Sequence, residues 1–81
     1  MIIELYSIND QATQEFTPPF AVASEKAALR VFEEILETDT IKRKHKEDFN
    51  LYFMGEMNTD TGIIIQNKDP ELIKKGEDYG G

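Results

Sequence analysis

One stretch of the sequence, residues 24–37, restricts the fold more than any other. Its apolar residues recur at intervals of three and four positions: Ala27, Ala28, Val31, Phe32, Ile35 and Leu36. This spacing places them along one face of a helix, while charged side chains fill the opposite face. Ser24 is suited to cap the first turn. The stretch therefore predicts one amphipathic helix whose apolar face packs on a sheet.

Three other stretches have the composition and alternation of strands. Residues 2–8 are short and rich in β-branched and aromatic side chains, residues 49–57 alternate, and residues 63–67 follow a turn-forming loop that contains Gly62. The order strand, helix, hairpin predicts an α+β fold in β-α-β-β order. We expect a small three-stranded antiparallel sheet with one helix packed on one face.

The chain length of 81 residues allows one domain, because neither half could bury enough apolar surface to fold alone. We place this domain at residues 1–73. Residues 74–81 are rich in charged residues and glycine and are predicted to form a flexible C-terminal tail.

Two aromatic rings flank a pair of prolines between the first strand and the helix. The sequence runs Phe16, Thr17, Pro18, Pro19, Phe20. Consecutive prolines fix φ and remove two backbone donors, so the segment is extended and lies outside any central strand. Either both rings pack inward and anchor a long loop, or Phe16, Pro18, Pro19 and Phe20 form an exposed patch that docks a protein partner.

The sheet face opposite the helix is expected to carry Tyr6, Tyr52 and Met54. Such an apolar surface is covered either by the proline-containing loop or by a second subunit. We favour a homodimer.

A cluster of four bases interrupts an otherwise acidic chain. The net charge is −7, yet Lys42, Arg43, Lys44 and Lys46 lie within five residues that contain no acid, and the rest of the chain has five bases against sixteen acids. We call these four residues the basic segment. Lysine and arginine neutralise phosphates, which indicates a nucleic-acid contact, and Tyr52 and Tyr6 are candidate partners for stacking on bases. The alternative is a solvated loop whose charge offsets neighbouring acids.

Most catalytic and metal-binding patterns are absent from the sequence. There is no cysteine, His45 is the single histidine and is expected to be an exposed bystander, and the five glycines form no phosphate-binding loop. The chain is therefore predicted to be non-enzymatic, with no cofactor and no metal. The N-terminal residues lack the pattern of a secretion signal, and no apolar run is long enough to span a membrane.

The order of several short motifs is similar to that of one phage protein family. The motifs are IIELYSIND at the start, FTPPF at residues 16–20, EDFNLY at residues 47–52, MGE at residues 54–56 and DTG at residues 60–62. Over about residues 2–67 the chain resembles the small nonstructural protein of gokushovirus-type microviruses, which are phages with single-stranded DNA genomes.

The resemblance implies a DNA-binding accessory protein that acts in the host cytoplasm and is absent from the finished virion. It implies a role in single-stranded DNA synthesis or packaging, with single-stranded DNA and phage replication or capsid proteins as expected partners. The alternative function is a protein-interaction module, either an adaptor for those phage proteins or an acidic inhibitor that mimics DNA and binds a host protein.

Overall fold

The computed structural model describes residues 1–79, in which an antiparallel sheet packs against helices. The strands are β1 (Ile2–Asp10), β2 (Glu15–Phe16), β3 (Phe20–Val22), β4 (Phe49–Asn58) and β5 (Ile64–Lys75). The helices are α1 (Glu25–Thr38) and α2 (Thr40–Lys44), and 3₁₀ turns occupy Lys46–Asp48 and Gly76–Asp78. β4 lies between β1 and β5, while β2 and β3 both pair with the other side of β1.

The prediction of a three-stranded sheet with one helix is therefore wrong. The structure has a curled antiparallel sheet of five strands, counting the short β2 and β3, together with two helices. β2 and β3 have two and three residues, on either side of Pro18 and Pro19. Strands of two or three residues are too short to show alternation in the sequence. Their stability comes from pairing with a distant strand, which the local sequence does not reveal.

A buried hydroxyl cluster holds the proline-containing loop against β1. The Ser7 hydroxyl is fully buried and donates a hydrogen bond of 2.7 Å to the carbonyl oxygen of Thr17. The Thr17 hydroxyl oxygen in turn accepts a bond of 3.0 Å from the backbone N–H of Ile8. These bonds replace ladder hydrogen bonds that the prolines cannot donate, so the loop continues the sheet instead of leaving it.

Helix α1 forms as the apolar spacing predicts and covers one face of the sheet. The Ser24 hydroxyl accepts a hydrogen bond of 3.2 Å from the Ala27 N–H, which confirms the predicted N-cap. The buried core joins residues of the helix, β1 and β4: Tyr6, Ile8, Ala28, Phe32, Leu36, Phe49 and Leu51. Among residues 1–79, no helix has the length and apolar character needed to cross a membrane.

A bulge at Gly55 divides the sheet into two halves that expose different side chains. Leu5 lies opposite Gly55, whereas the next residue of β1, Tyr6, lies opposite Phe53. The extra residue in β4, Met54, reverses which of its side chains face α1. Gly55 has φ of 149°, and a Cβ atom there would overlap the carbonyl oxygen of Ile65.

The C-terminal residues return to the start of β4. Gly76 is buried, and a Cβ atom there would overlap the carbonyl oxygens of Lys46 and Phe49. The Tyr79 ring packs edge-to-face on Phe32, with ring centroids 5.6 Å apart. The predicted domain boundary at residue 73 falls inside β5. Gly80 and Gly81, the end of the predicted tail, lie outside the described residues, and the flexibility of that tail stays a prediction.

Replacing Gly55 by alanine tests how far the sheet depends on the bulge. We expect Gly55→Ala to lower the free energy of unfolding by about 3 kcal/mol in urea denaturation, because the added methyl group meets backbone and the positive φ is strained. Gly62→Asn is the control, since Gly62 has φ of 76° in open space and asparagine tolerates that conformation. Equal losses in the two variants would contradict the assigned role of the bulge.

Candidate nucleic-acid interface

Three members of the basic segment belong to α2, a short helix that was not predicted from the sequence. Lys42, Arg43 and Lys44 form its last turn, and Lys46 lies in the following 3₁₀ turn. Basic residues at this position interact favourably with the negative end of the helix dipole. The local fold therefore stabilises the positive charges that a phosphate contact would need.

Asp39 determines where α2 begins. It ends α1, and its carboxylate accepts hydrogen bonds of 3.0 and 3.1 Å from the backbone N–H groups of Ile41 and Lys42. The hydrogen bonds from Lys42, first the backbone N–H and then the ammonium group, hold the pKa of Asp39 below its ordinary value. The carboxylate therefore stays charged, and its contribution to α2 is lost only as the pH falls through that lowered pKa.

The four bases differ in how far they are available to a ligand. The Lys42 ammonium lies 3.3 Å from the Asp39 carboxylate and 5.3 Å above the Phe49 ring centroid, and its side chain is partly buried. Arg43 and Lys44 are exposed and Lys46 is half-buried. Within residues 1–79, these last three bases form no ion pair. Three bases, rather than the predicted four, are thus open to phosphate.

A groove of about 250 Å³ joins α2 to the proline-containing loop. The residues that line it include Lys42, Phe49, Phe16 and Thr17. Phe16 is 46% exposed and contacts Tyr52 edge-to-face, with ring centroids 5.4 Å apart. The structure thus brings together Lys42, which was predicted to contact nucleic acid, and Phe16, which was predicted to contact protein.

Two acidic residues at the same groove were not predicted to be site residues. Asp10 and Glu15 line it, and they lie directly opposite each other where β1 pairs with β2. Nothing in the local sequence brings them near Lys42, because the two segments meet only through the tertiary fold. Asp39, by contrast, precedes a threonine and an apolar residue, and this typical N-cap pattern could have revealed the start of α2.

Tyr6 lies away from this groove. It was predicted on the open face of the sheet, but that placement is wrong, because its side chain is 1% exposed and belongs to the core under α1. Burial and a 2.6 Å hydrogen bond to Glu4 raise the pKa of Tyr6 far above its ordinary value. The ring is therefore out of reach of a base, whereas Tyr52 is half-buried beneath Phe16.

The residues predicted to dock a protein partner differ in how far they are exposed. Pro18 and Pro19 are exposed, whereas Phe20 is half-buried and stacks on Tyr6 with ring centroids 6.3 Å apart. Phe20 thus anchors the loop, and Phe16 remains at the surface. One interpretation of the proline-containing segment therefore fits Phe20 and the other fits Phe16.

Three side chains beside the basic segment could contribute ligands to a metal ion. One atom from each of His45, Glu47 and Asp48 lies within 4.8 Å of the others. His45 and Glu47 are exposed, and exposed acidic groups commonly lie close together without binding an ion. We assign no metal to this cluster.

Comparison with protein families shows what kind of protein carries this groove. The family model described as Phage ORF5 protein matches residues 3–79, nearly the whole chain. Comparisons with curated proteins and with solved structures gave no match. The match confirms the expectation of a phage protein family. The chain belongs to the phage ORF5 protein family.

Proposed function

We propose that this phage accessory protein binds single-stranded DNA through the groove between α2 and the proline-containing loop. The observation that carries the proposal is that Lys42 of α2 and the exposed Phe16 line one groove, and that Arg43 and Lys44 follow Lys42 in the same helix. Proteins that bind single strands combine positive charge along the backbone with rings on which bases stack.

The charges around the groove suggest how a strand would lie. Arg43, Lys44 and Lys46, in and just after α2, attract phosphates, whereas Asp10 and Glu15, which line the groove, repel them. The DNA backbone therefore follows α2, and an uncharged base turns toward Phe16. Because the Tyr52 ring packs edge-to-face on the Phe16 ring, Phe16 is held in place before a base binds.

The resemblance to the gokushovirus-type nonstructural protein gives this activity a setting. A phage with a single-stranded DNA genome must synthesise that strand and package it. We place the protein at this step, in the host cytoplasm, as a non-enzymatic factor. The charge of −7 keeps such binding weak and local, since most of the surface repels DNA.

Removing the three available bases tests the proposal directly. We expect the wild-type protein to bind a labelled single-stranded oligonucleotide in fluorescence anisotropy, with a log–log salt slope of about −2 for three phosphate contacts. The triple variant Arg43→Ala, Lys44→Ala, Lys46→Ala should bind about 100-fold more weakly at 0.1 M salt.

The matched control removes the same charge elsewhere. Lys26, Arg30 and Lys68 are exposed and lie outside the basic segment, so their combined change to alanine should have a much smaller effect. Equal losses in the two triple variants would contradict the assigned site. Absence of wild-type binding even at low salt would overturn the proposal and favour a protein-interaction module.

Releasing Lys42 from Asp39 should strengthen binding. Asp39→Asn keeps a good N-cap residue for α2 but removes the charge that holds the Lys42 ammonium. We expect a salt slope of about −3 and an affinity about fivefold higher at 0.1 M salt, because a fourth phosphate contact becomes available. Asp60→Asn makes the same change in net charge next to the N-terminus and should leave the slope unchanged. An unchanged slope in Asp39→Asn would show that Lys42 does not contact the strand.

The aromatic contribution can be separated from the charge. We expect Phe16→Ala to reduce affinity by about 10-fold without changing the salt slope, because stacking releases no counterions. Ile41→Ala is the control, since Ile41 is exposed on α2 itself and has no ring to stack. A loss in Phe16→Ala no greater than in Ile41→Ala would remove stacking from the mechanism.

A further inference from the structure

The sheet face opposite α1 presents an uncharged apolar surface at the end distant from α2. Ile3 lies opposite Met57, and Met57 lies opposite Ile64, so these three side chains form a row across β1, β4 and β5. Beside the row is a groove of about 250 Å³. The described residues that line the groove are all uncharged: Leu5, Pro19, Met54, Ile64, Gln66, Asn67 and Pro70.

The molecule is elongated and has more accessible surface than its mass predicts. The molecule measures 40 × 22 × 17 Å, and its accessible surface is 5487 Å². A monomer of 9.3 kDa exposes about 5,000 Å² by the usual scaling with mass. The excess of about 500 Å² approaches the contribution of one subunit to a small specific interface. On the face opposite α1, Ile64 is 59% exposed and accounts for part of it.

We propose that this surface is the interface between two copies of the chain, packed sheet against sheet around a two-fold axis. We call it the distal face, defined by Ile3, Leu5, Met54, Met57 and Ile64. Two copies of an acidic protein repel each other, so they approach most easily where both surfaces are uncharged. A two-fold contact brings the same patch of each copy together, and an apolar patch is complementary to itself.

The edge of the sheet is a poorer route to the same dimer. β5 is an edge strand, but the register between β4 and β5 shifts between Phe53 and Gly55, and Asn67–Pro70 bulges from the ladder. The Asn67 side-chain amide donates a 2.7 Å hydrogen bond to the Asp69 carbonyl, and Pro70 has no N–H to offer. Bulges and prolines of this kind prevent strand addition, which leaves the distal face as the surface to be covered.

The dimer is independent of the proposed DNA contact. The distal face and the pair formed by Phe16 and Tyr52 lie toward opposite ends of β1, because Ile3 and Leu5 are near its start while Asn9 pairs with Phe16 near its end. Covering the distal face therefore leaves the groove beside α2 open. Measurements of oligomeric state without DNA test the dimer alone.

Sedimentation analysis of the whole chain at increasing concentration provides the test. We expect the wild-type protein to have twice the 9.3 kDa mass of one chain. Ile64→Lys should weaken association at least about 10-fold, because it places a charge in the apolar contact. Ile65→Lys is a matched control, since Ile65 is the next residue, is 63% exposed against 59% for Ile64, and lies on the opposite face of β5.

The outcomes separate the distal face from other surfaces. Association lost in Ile64→Lys but kept in Ile65→Lys supports the proposal, provided that circular dichroism shows both variants folded. Should Ile64→Lys unfold, Gln66→Arg at the same groove replaces it, and the same loss is expected. A monomeric wild type, equal effects in the two variants, or a loss confined to Ile65→Lys would each overturn the proposal.

Discussion

The bulge at Gly55 is the constraint on which the two surfaces of this protein depend. Before it, Phe49, Leu51 and Phe53 of β4 face α1 and form the core. After it, the side chains of β4 reverse, so Met57 joins the face opposite α1 while Glu56 lies on the helix side, opposite Glu4. Without this reversal Glu56 would lie among the apolar side chains of the distal face. One extra residue therefore determines which face at this end of the sheet carries Glu56 and which stays uncharged.

The sequence was sufficient to predict elements whose stability is local. The spacing of apolar residues and the Ser24 cap located α1 to within one residue, and alternation located β1 and most of β4. The turn-forming loop that contains Gly62 was also predicted correctly, and Gly62 has φ of 76°. In contrast, β2, β3 and the second half of β5 form because β1 and β4 offer unpaired backbone groups, and that information is not contained in their own residues.

The charged residues of the candidate site could be predicted from the sequence, but their positions relative to one another could not. Composition identified the basic segment, yet it gave no sign that Asp39 would hold Lys42 or that Phe16 would line the same groove. Alternation without the bulge would place Gly55 on the face of Phe53, and Glu56 on the face of Tyr52. Errors of this kind follow from register, because a shift of one residue moves every later side chain to the other face.

The distribution of charge connects the two proposals. A protein of net charge −7 repels both DNA and a second copy of itself, so each contact requires a region where that repulsion is locally removed. The basic segment removes it for phosphate by reversing the sign, and the distal face removes it for another copy by having no charge. If two copies pair through the distal face, both basic segments stay at the surface of one particle. A strand long enough to reach both would then bind more tightly than to either alone, because the second contact forms at a high effective concentration. Weak individual contacts would in that case suffice for an acidic protein to hold single-stranded DNA.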